Sequence, residues 1–299
     1  MTLNSQLYGL RADTAIHAGT GESDGKVDLP IMREQHSGWP VVYGSAVKGA
    51  LRAAAELVLD KDSDEVWALF GPDTKNASDH AGCLLISDAR LLALPVRSLT
   101  SQYRLVTCPD LISRLQRDVE RLGMSERIEG LNIPVVEEEQ ILTAKDEKHE
   151  YLFLEDFAYQ RKTCDLSALA ALMAQLANLD ESDIADKLAV VSNDAFAHVC
   201  QSAIPVNAHI ALDSDTKTVT GGALWYEESL PSDTLLYVGI SAWKPRRQGT
   251  SLATAEQCIT VLDQQLFGKR PYLQLGGNET TGMGWCRVSA LANSAEGGK

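Results

Sequence analysis

The sequence predicts an α+β protein with a ferredoxin-like (RRM-like) core, interrupted by a large insertion that is helical and ends in a β-hairpin. Three observations carry this reading. Strand, helix and strand patterns follow one another near the N-terminus, and the same order returns near the C-terminus, as the ferredoxin-like fold requires. Between them, residues 95–232 hold two helical patterns and one hairpin pattern. No linker, internal repeat or low-complexity tract divides the 299 residues, so they read as one domain with its core at 1–94 and 233–291.

Residues 7–16, LYGLRADTAI, alternate as a strand. The Gly44-Ser45 turn opens a helix running to about Leu59, with Ser45 as the expected N-cap. Val47, Ala50, Leu51 and Ala54 share its apolar face, while Lys48 and Arg52, four apart, share the other. Val66, Trp67 and Phe70 mark a short helix over 64–70. Residues 83–94 read as a buried strand broken at Ser87-Asp88 and ended by Pro95. In the insertion, 109–122 and 165–179 read as helices, the first closed by Gly123. Residues 204–226 read as a hairpin around the polar turn at Asp213–Thr216. A strand at 234–242 precedes an amphipathic helix at 254–267, whose apolar face holds Cys258, Ile259, Leu262 and Leu266 and which Gly268 stops. Strands at 271–275 and 285–291 flank the loop GGNETTGMG, and NSAEGGK at the end is expected to fray.

Bulk composition narrows the function classes. No apolar run approaches the roughly 18 residues of a membrane span, and no secretory pattern opens the chain, so the cytoplasm is expected and a membrane is not. Six cysteines stand singly, without a CxxC or CxxH pair, which excludes a zinc knuckle or a dithiol redox motif. The net charge of −14 opposes unaided capture of nucleic acid. Its distribution is uneven, however. Residues 137–156 carry eight acids against two lysines, whereas 241–287 carry six bases against three acids. A local basic groove inside an assembly is compatible with that pattern.

Candidate functional residues cluster in five places. His17 and Asp28 flank a glycine-broken segment, so both can sit on one bent loop. His17 reads either as a general acid or base or as a structural brace, and Asp28 either as a solvated acid or as a catalytic carboxylate. Gly44, Ser45, Lys48 and Arg52 pair a helix start with two cations, an arrangement suited to phosphate or to plain solvation. Lys244, Arg246 and Arg247 beside Trp243 suit phosphate contact with base stacking, or a solubilising loop. Gly276, Gly277, Gly282 and Gly284 lack the order of a nucleotide P-loop and suit close backbone approach to RNA. Glu227 and Glu228 read as surface acids or as accessory groups that reach a neighbour's site.

Four motifs in this order resemble the RAMP superfamily: His17-Ala-Gly, Val27 to Glu34 (VDLPIMRE), Gly44 to Arg52 (GSAVKGALR) and Gly276 to Trp285 (GGNETTGMGW). Within it, the whole chain resembles the repeated backbone subunit of type III-B, Cmr-type CRISPR effector complexes. The run from Thr216 to Pro231 resembles that subunit's thumb. The resemblance implies copies stacked in a filament on a guide crRNA, beside other Cmr subunits. The thumb hairpin would enter between guide and target bases, and a metal-dependent endoribonuclease would cut single-stranded target RNA. It places the cutting carboxylate at Asp28 and guide contacts at Ser45, Lys48, Arg52 and the glycine-rich loop, beside which His17 and Glu227 stand as accessory candidates on the residue reading above. A divalent ion, Mg or Mn, needs no cage of several side chains, because hard ions use one or two carboxylates plus substrate phosphate. Two other functions compete: a non-catalytic guide-binding scaffold, and a stand-alone guide-processing endoribonuclease that would use His17 without metal.

Overall fold

The computed structural model describes residues 3–292, except 24, 62, 74–78 and 146–148. Its strands are β1 (Asn4–Ala12), β2 (Val41–Val42), β3 (Leu84–Ile86), β4 (Ala89–Ser98), β5 (Gln102–Thr107), β6 (Gln140–Thr143), β7 (Tyr151–Leu154), β8 (Phe157–Thr163), β9 (Leu188–Val191), β10 (Val206–Leu212), β11 (Val219–Glu228), β12 (Leu235–Ala242), β13 (Tyr272–Gln274) and β14 (Trp285–Ala290). Its helices are α1 (Gly44–Leu59), α2 (Asp64–Phe70), α3 (Pro109–Arg121), α4 (Ser167–Ala177), α5 (Glu181–Lys187), α6 (Asn193–Ser202) and α7 (Ala255–Thr260). The tail NSAEGGK lies outside the described residues.

Four antiparallel strands run side by side in the order β14, β1, β12, β4, which is the ferredoxin-like order 4-1-3-2. Helix α1 joins β1 to β4, and α7, continued by a π-helix over Val261–Phe267, joins β12 to β14. A capping box at Thr254 and Gln257 starts α7, satisfying two otherwise orphaned amides. The expected break at Ser87-Asp88 separates β3 from β4.

Two expectations about the insertion need correction. Pro95 does not end its strand: β4 continues to Ser98, pairing with β12 up to Ala93 and with β5 from Leu94 onward. Nor is the insertion only helical with a hairpin, since β5, β9, β6, β8 and β7 extend the core sheet in that order. Helices α5 and α6 also lie where no pattern announced them.

The insertion changes what the sheet can do. Tyr8, Leu10, Leu236, Val238 and Ile240 pack on one face with residues of α1, α2 and α7. Leu7, Leu235 and Tyr237 point to the other face and pack with Ile112, Leu115, Leu169 and Met173 of α3 and α4. All eight residues of β12 are buried. Helix α4 lies so close to β1 that a Cβ on Gly9 would stand 2.1 Å from the Leu176 carbonyl oxygen. The open sheet face on which RRM-like folds read RNA is therefore closed here.

The N-cap of helix α1 lies two residues earlier than expected. Tyr43 stands at the N-cap without a side-chain bond, and Ser45 lies inside the first turn. The cap comes from afar: the Gly44 amide donates to Asp88 Oδ1 at 2.7 Å. Val47, Leu51 and Ala55 are buried, with Ala50 and Ala54 packed beside them. Among the described residues, no helix is long and apolar enough to cross a membrane.

Candidate functional site

Three chain segments knit together beside the end of β11. Ile16 and Leu230 exchange backbone hydrogen bonds, each 2.9 Å. Met32 N donates to Ala18 O at 2.7 Å and Thr20 N to Pro30 O at 3.1 Å, so the chain folds back on itself between His17 and Asp28. Gly21 and Gly25, at φ 80° and 84°, supply the left-handed turns of that return. Leu29 then runs parallel to Glu227: Leu29 N donates to Tyr226 O, and Glu228 N to Leu29 O, both at 3.0 Å.

This weave holds Asp28 in the open. Its side chain is exposed, and Oδ2 accepts from Tyr226 N at 2.8 Å. Among the described residues nothing bonds to Oδ1.

His17 sits behind that loop and is only 9% exposed. Its Nδ1 lies 2.8 Å from the Glu228 carbonyl oxygen. A carbonyl only accepts, so Nδ1 carries the proton. Nε2 faces Gly19, where a Cβ would come within 2.5 Å.

Both glutamates differ from their expected place on the surface. Glu227 is 4% and Glu228 7% exposed. Glu227 Oε1 accepts from Asn278 Nδ2 and lies 3.8 Å from His17 Nδ1. Glu228 accepts from Ile31 N through Oε2 at 3.0 Å and from Arg33 through Oε1. Neither is placed to reach a neighbouring molecule, because burial of a carboxylate is tolerable only where donors surround it. Asn278 and Arg33 are the partners that sequence reading missed. Their only signal was position, each lying within a motif already singled out.

The glycine-rich loop also serves a different partner from the one expected. Gly276, at φ 83°, would put a Cβ 2.3 Å from His17 O, and Gly277 N donates to that same oxygen at 2.8 Å. Gly284 N donates to Ala15 O at 2.8 Å, and a Cβ there would meet Leu275 O at 2.1 Å. The close backbone approach is thus to the protein itself, and it brings the loop onto His17. Gly282 alone of the four faces open space, at φ 85°.

The cations divide likewise. Lys48 and Ser45 are exposed, while Arg52 is turned inward to Glu56 Oε1 at 2.8 Å and to the carbonyls of Gly71 and Pro72 at 3.0 and 3.2 Å. Gly44 is closed off by the Ile86 and Ser87 carbonyls, and its amide is taken by Asp88. A carboxylate already satisfies that end of the helix dipole, so the expected phosphate cradle is filled at its first amide. Arg247 is bound to Asp64 and stacked 4.7 Å over Trp67. Lys244 and Arg246 remain exposed and border a groove of about 650 Å³ with Trp243 and Thr254.

Above the loop stands the hairpin β10–β11, a two-stranded sheet that, among the described residues, gains only the bridge from Leu29 to Glu227 at its root. Ile210, Leu212, Val219, Leu224 and Tyr226 are each about half exposed. His209 and Trp225 stack with centroids 5.4 Å apart. A bare two-stranded ribbon presenting apolar and aromatic groups is a surface built for a partner.

Comparison with known proteins matches this arrangement. The RAMP superfamily model covers residues 10–287. The CRISPR system Cmr endoribonuclease Cmr4 of Pyrococcus furiosus is 33% identical over 300 residues, 99% of each chain. The crystal structure of oligomeric Cmr4 from Pyrococcus furiosus superposes with a TM-score of 0.72 at 28% identity, covering 97% of this chain and 98% of that one. The cryo-EM structure of a type III-B Cmr-beta complex bound to cognate target RNA shares the fold, with a TM-score of 0.73 at 19% identity over 96% and 97% of the two chains. By fold, by a family match spanning most of its length and by shared sequence, this chain belongs to the RAMP superfamily, among its Cmr4 proteins.

Proposed function

We propose that this chain is the repeated backbone subunit of a type III-B CRISPR effector. Copies line a guide crRNA beside other Cmr subunits and cleave the paired single-stranded target RNA. The observation that carries the reading is an exposed carboxylate, Asp28, strapped by one oxygen to the root of an otherwise unsupported hairpin. Similarity to a Cmr endoribonuclease and to an oligomeric Cmr4 supports it.

Cutting RNA through its 2′-hydroxyl needs that oxygen in line behind the scissile phosphate, and a group to take its proton or offset charge. A hairpin wedged between guide and target would splay the target toward in-line geometry. Asp28 Oδ1 would then face the displaced nucleotide. The donor set suits Mg or Mn held by Asp28 together with substrate phosphate and water. Among the described residues no group of three His, Cys, Asp or Glu offers a fuller cage. Such an ion, when bound, supplies charge compensation at the phosphate. His17, buried with its Nδ1 proton committed to Glu228 O, braces the loop. Glu227 anchors the glycine-rich loop through Asn278. Ser45, Lys48, Lys244 and Arg246 are the exposed groups left for guide phosphates.

The test is cleavage by a reconstituted complex carrying Asp28→Asn. Target cutting should fall at least about 100-fold while guide loading and target binding stay intact. Undiminished cutting would refute the assignment. Chelation of divalent ions should silence the wild type, and persistent cleavage in chelator would reject the metal.

A further inference from the structure

Among the described residues the carboxylate of Asp28 has a single hydrogen bond of its own, on a loop that glycines enter at positive φ. The stretch that follows it, Leu29 to Arg33, is tied to the body of the protein. There one residue does several jobs. Glu228 gives its backbone amide to Leu29 O and its carboxylate to both Ile31 N and Arg33. Arg33 in turn spreads Nη1 over the carbonyls of Gly38, at 3.0 Å, and Cys200, at 2.8 Å, which join this pair to the body of the protein.

Resting on the cleavage reading above, we propose that Glu228 and Arg33 are positioning residues that fix where Asp28 meets the scissile phosphate. Glu228 is the last residue of β11, so the strand that forms the hairpin also carries the clamp on the cleavage loop. Hairpin and carboxylate then move as one body. A target splayed by the hairpin finds Asp28 already in register. Burial makes the arrangement exacting: a side chain 9% exposed keeps its charge only while its donors remain in place. Apolar packing would fill the same space but would leave Ile31 N unbonded and the loop free to shift. Displacement of a reacting group by about 1 Å costs on the order of 100-fold in rate.

Single-turnover cleavage of guide-paired target by reconstituted complexes tests this, with guide loading, target Kd, cut position and melting temperature read in parallel. Glu228→Ala and Arg33→Ala should each slow cutting by about 10- to 100-fold at saturating target, with Kd and loading within about twofold of wild type and secondary cuts one nucleotide away. Glu228→Gln keeps one oxygen, enough for Ile31 N but not for Arg33 as well, and should recover part of the lost rate. A merely structural role predicts instead that rate, loading and melting temperature fall together and that Gln restores none of them. Wild-type rates and cut positions in both alanine variants, or rate losses fully matched by weaker binding, would overturn the proposal. If Glu228→Ala does not assemble, Arg33→Ala decides, because its side chain is 24% exposed and its removal is milder. Asp28→Asn runs alongside. Cutting by that variant refutes the cleavage reading, whereas an inactive Asp28→Asn beside a normal Glu228→Ala refutes only the clamp.

Discussion

Asp28 and Asp263 show two fates for one side chain. Asp28 is exposed and needs only to be held; Asp263 is half-buried on the π-helix, where Tyr8 OH donates to Oδ1 at 2.7 Å. Burial raises the Asp263 carboxyl above its ordinary 3.8, and the Tyr8 hydrogen bond offsets this only in part. A carboxyl with a higher pKa folded than unfolded favours folding at low pH, and that contribution is lost as pH rises through the folded value. Asp263→Asn retains an oxygen for Tyr8 and removes the charge. Its melting temperature should exceed that of wild type on the order of 1–2 °C at pH 8, with the gain vanishing as pH falls toward 4. A calorimetric pH series showing the opposite trend would contradict this account. Another residue-scale fact was invisible in the chain: Arg52 and Lys48 share a helix side, but Arg52 is turned inward onto the carbonyls of Gly71 and Pro72.

Among the elements, those with one long amphipathic or alternating stripe were legible: β1, α1, α3, α4, β12 and the 255–267 helix all lie near their expected positions. Three of the missed strands, β6, β7 and β9, are short. QILT and YLFL span four residues each, and β9 follows α5 with no intervening residue, so neither periodicity nor turn chemistry marks them. The loop between β13 and β14 offers a test of what its glycines do. Gly284→Ala should cost about 3 kcal/mol, since its Cβ would enter the Leu275 carbonyl at positive φ. Gly282→Ala, also at positive φ but facing open space, should cost about 1–2 kcal/mol. Equal destabilisation in urea titrations would mean that the tight approach to Leu275 is not what holds the loop.

For the whole molecule, two features decide how RNA can be held. Helices α3 and α4 close the second sheet face, so binding falls to edges, loops and the hairpin. A net charge of −14 also denies long-range attraction, leaving a few exposed cations to grip phosphate at short range. Replacing Lys48, Lys244 and Arg246 together by Ala should weaken guide binding and reduce the salt dependence by about 2 in log–log slope, near 0.7 for each phosphate no longer neutralised on single-stranded RNA. An unchanged slope in filter-binding across a salt series would move the guide path elsewhere.

The element order of the core, its ferredoxin-like strand sequence and the loop bearing Asp28 were determined by the chain alone, because local periodicity states which face of an element is buried and glycines state where it bends. Tertiary structure decided what covers each face and which polar groups are spent. Glu227 meets Asn278, Asp88 meets Gly44, and His17 meets Gly276 and Gly277 across 51, 44 and some 260 residues of chain. Such partners are chosen by packing geometry, which no local pattern records.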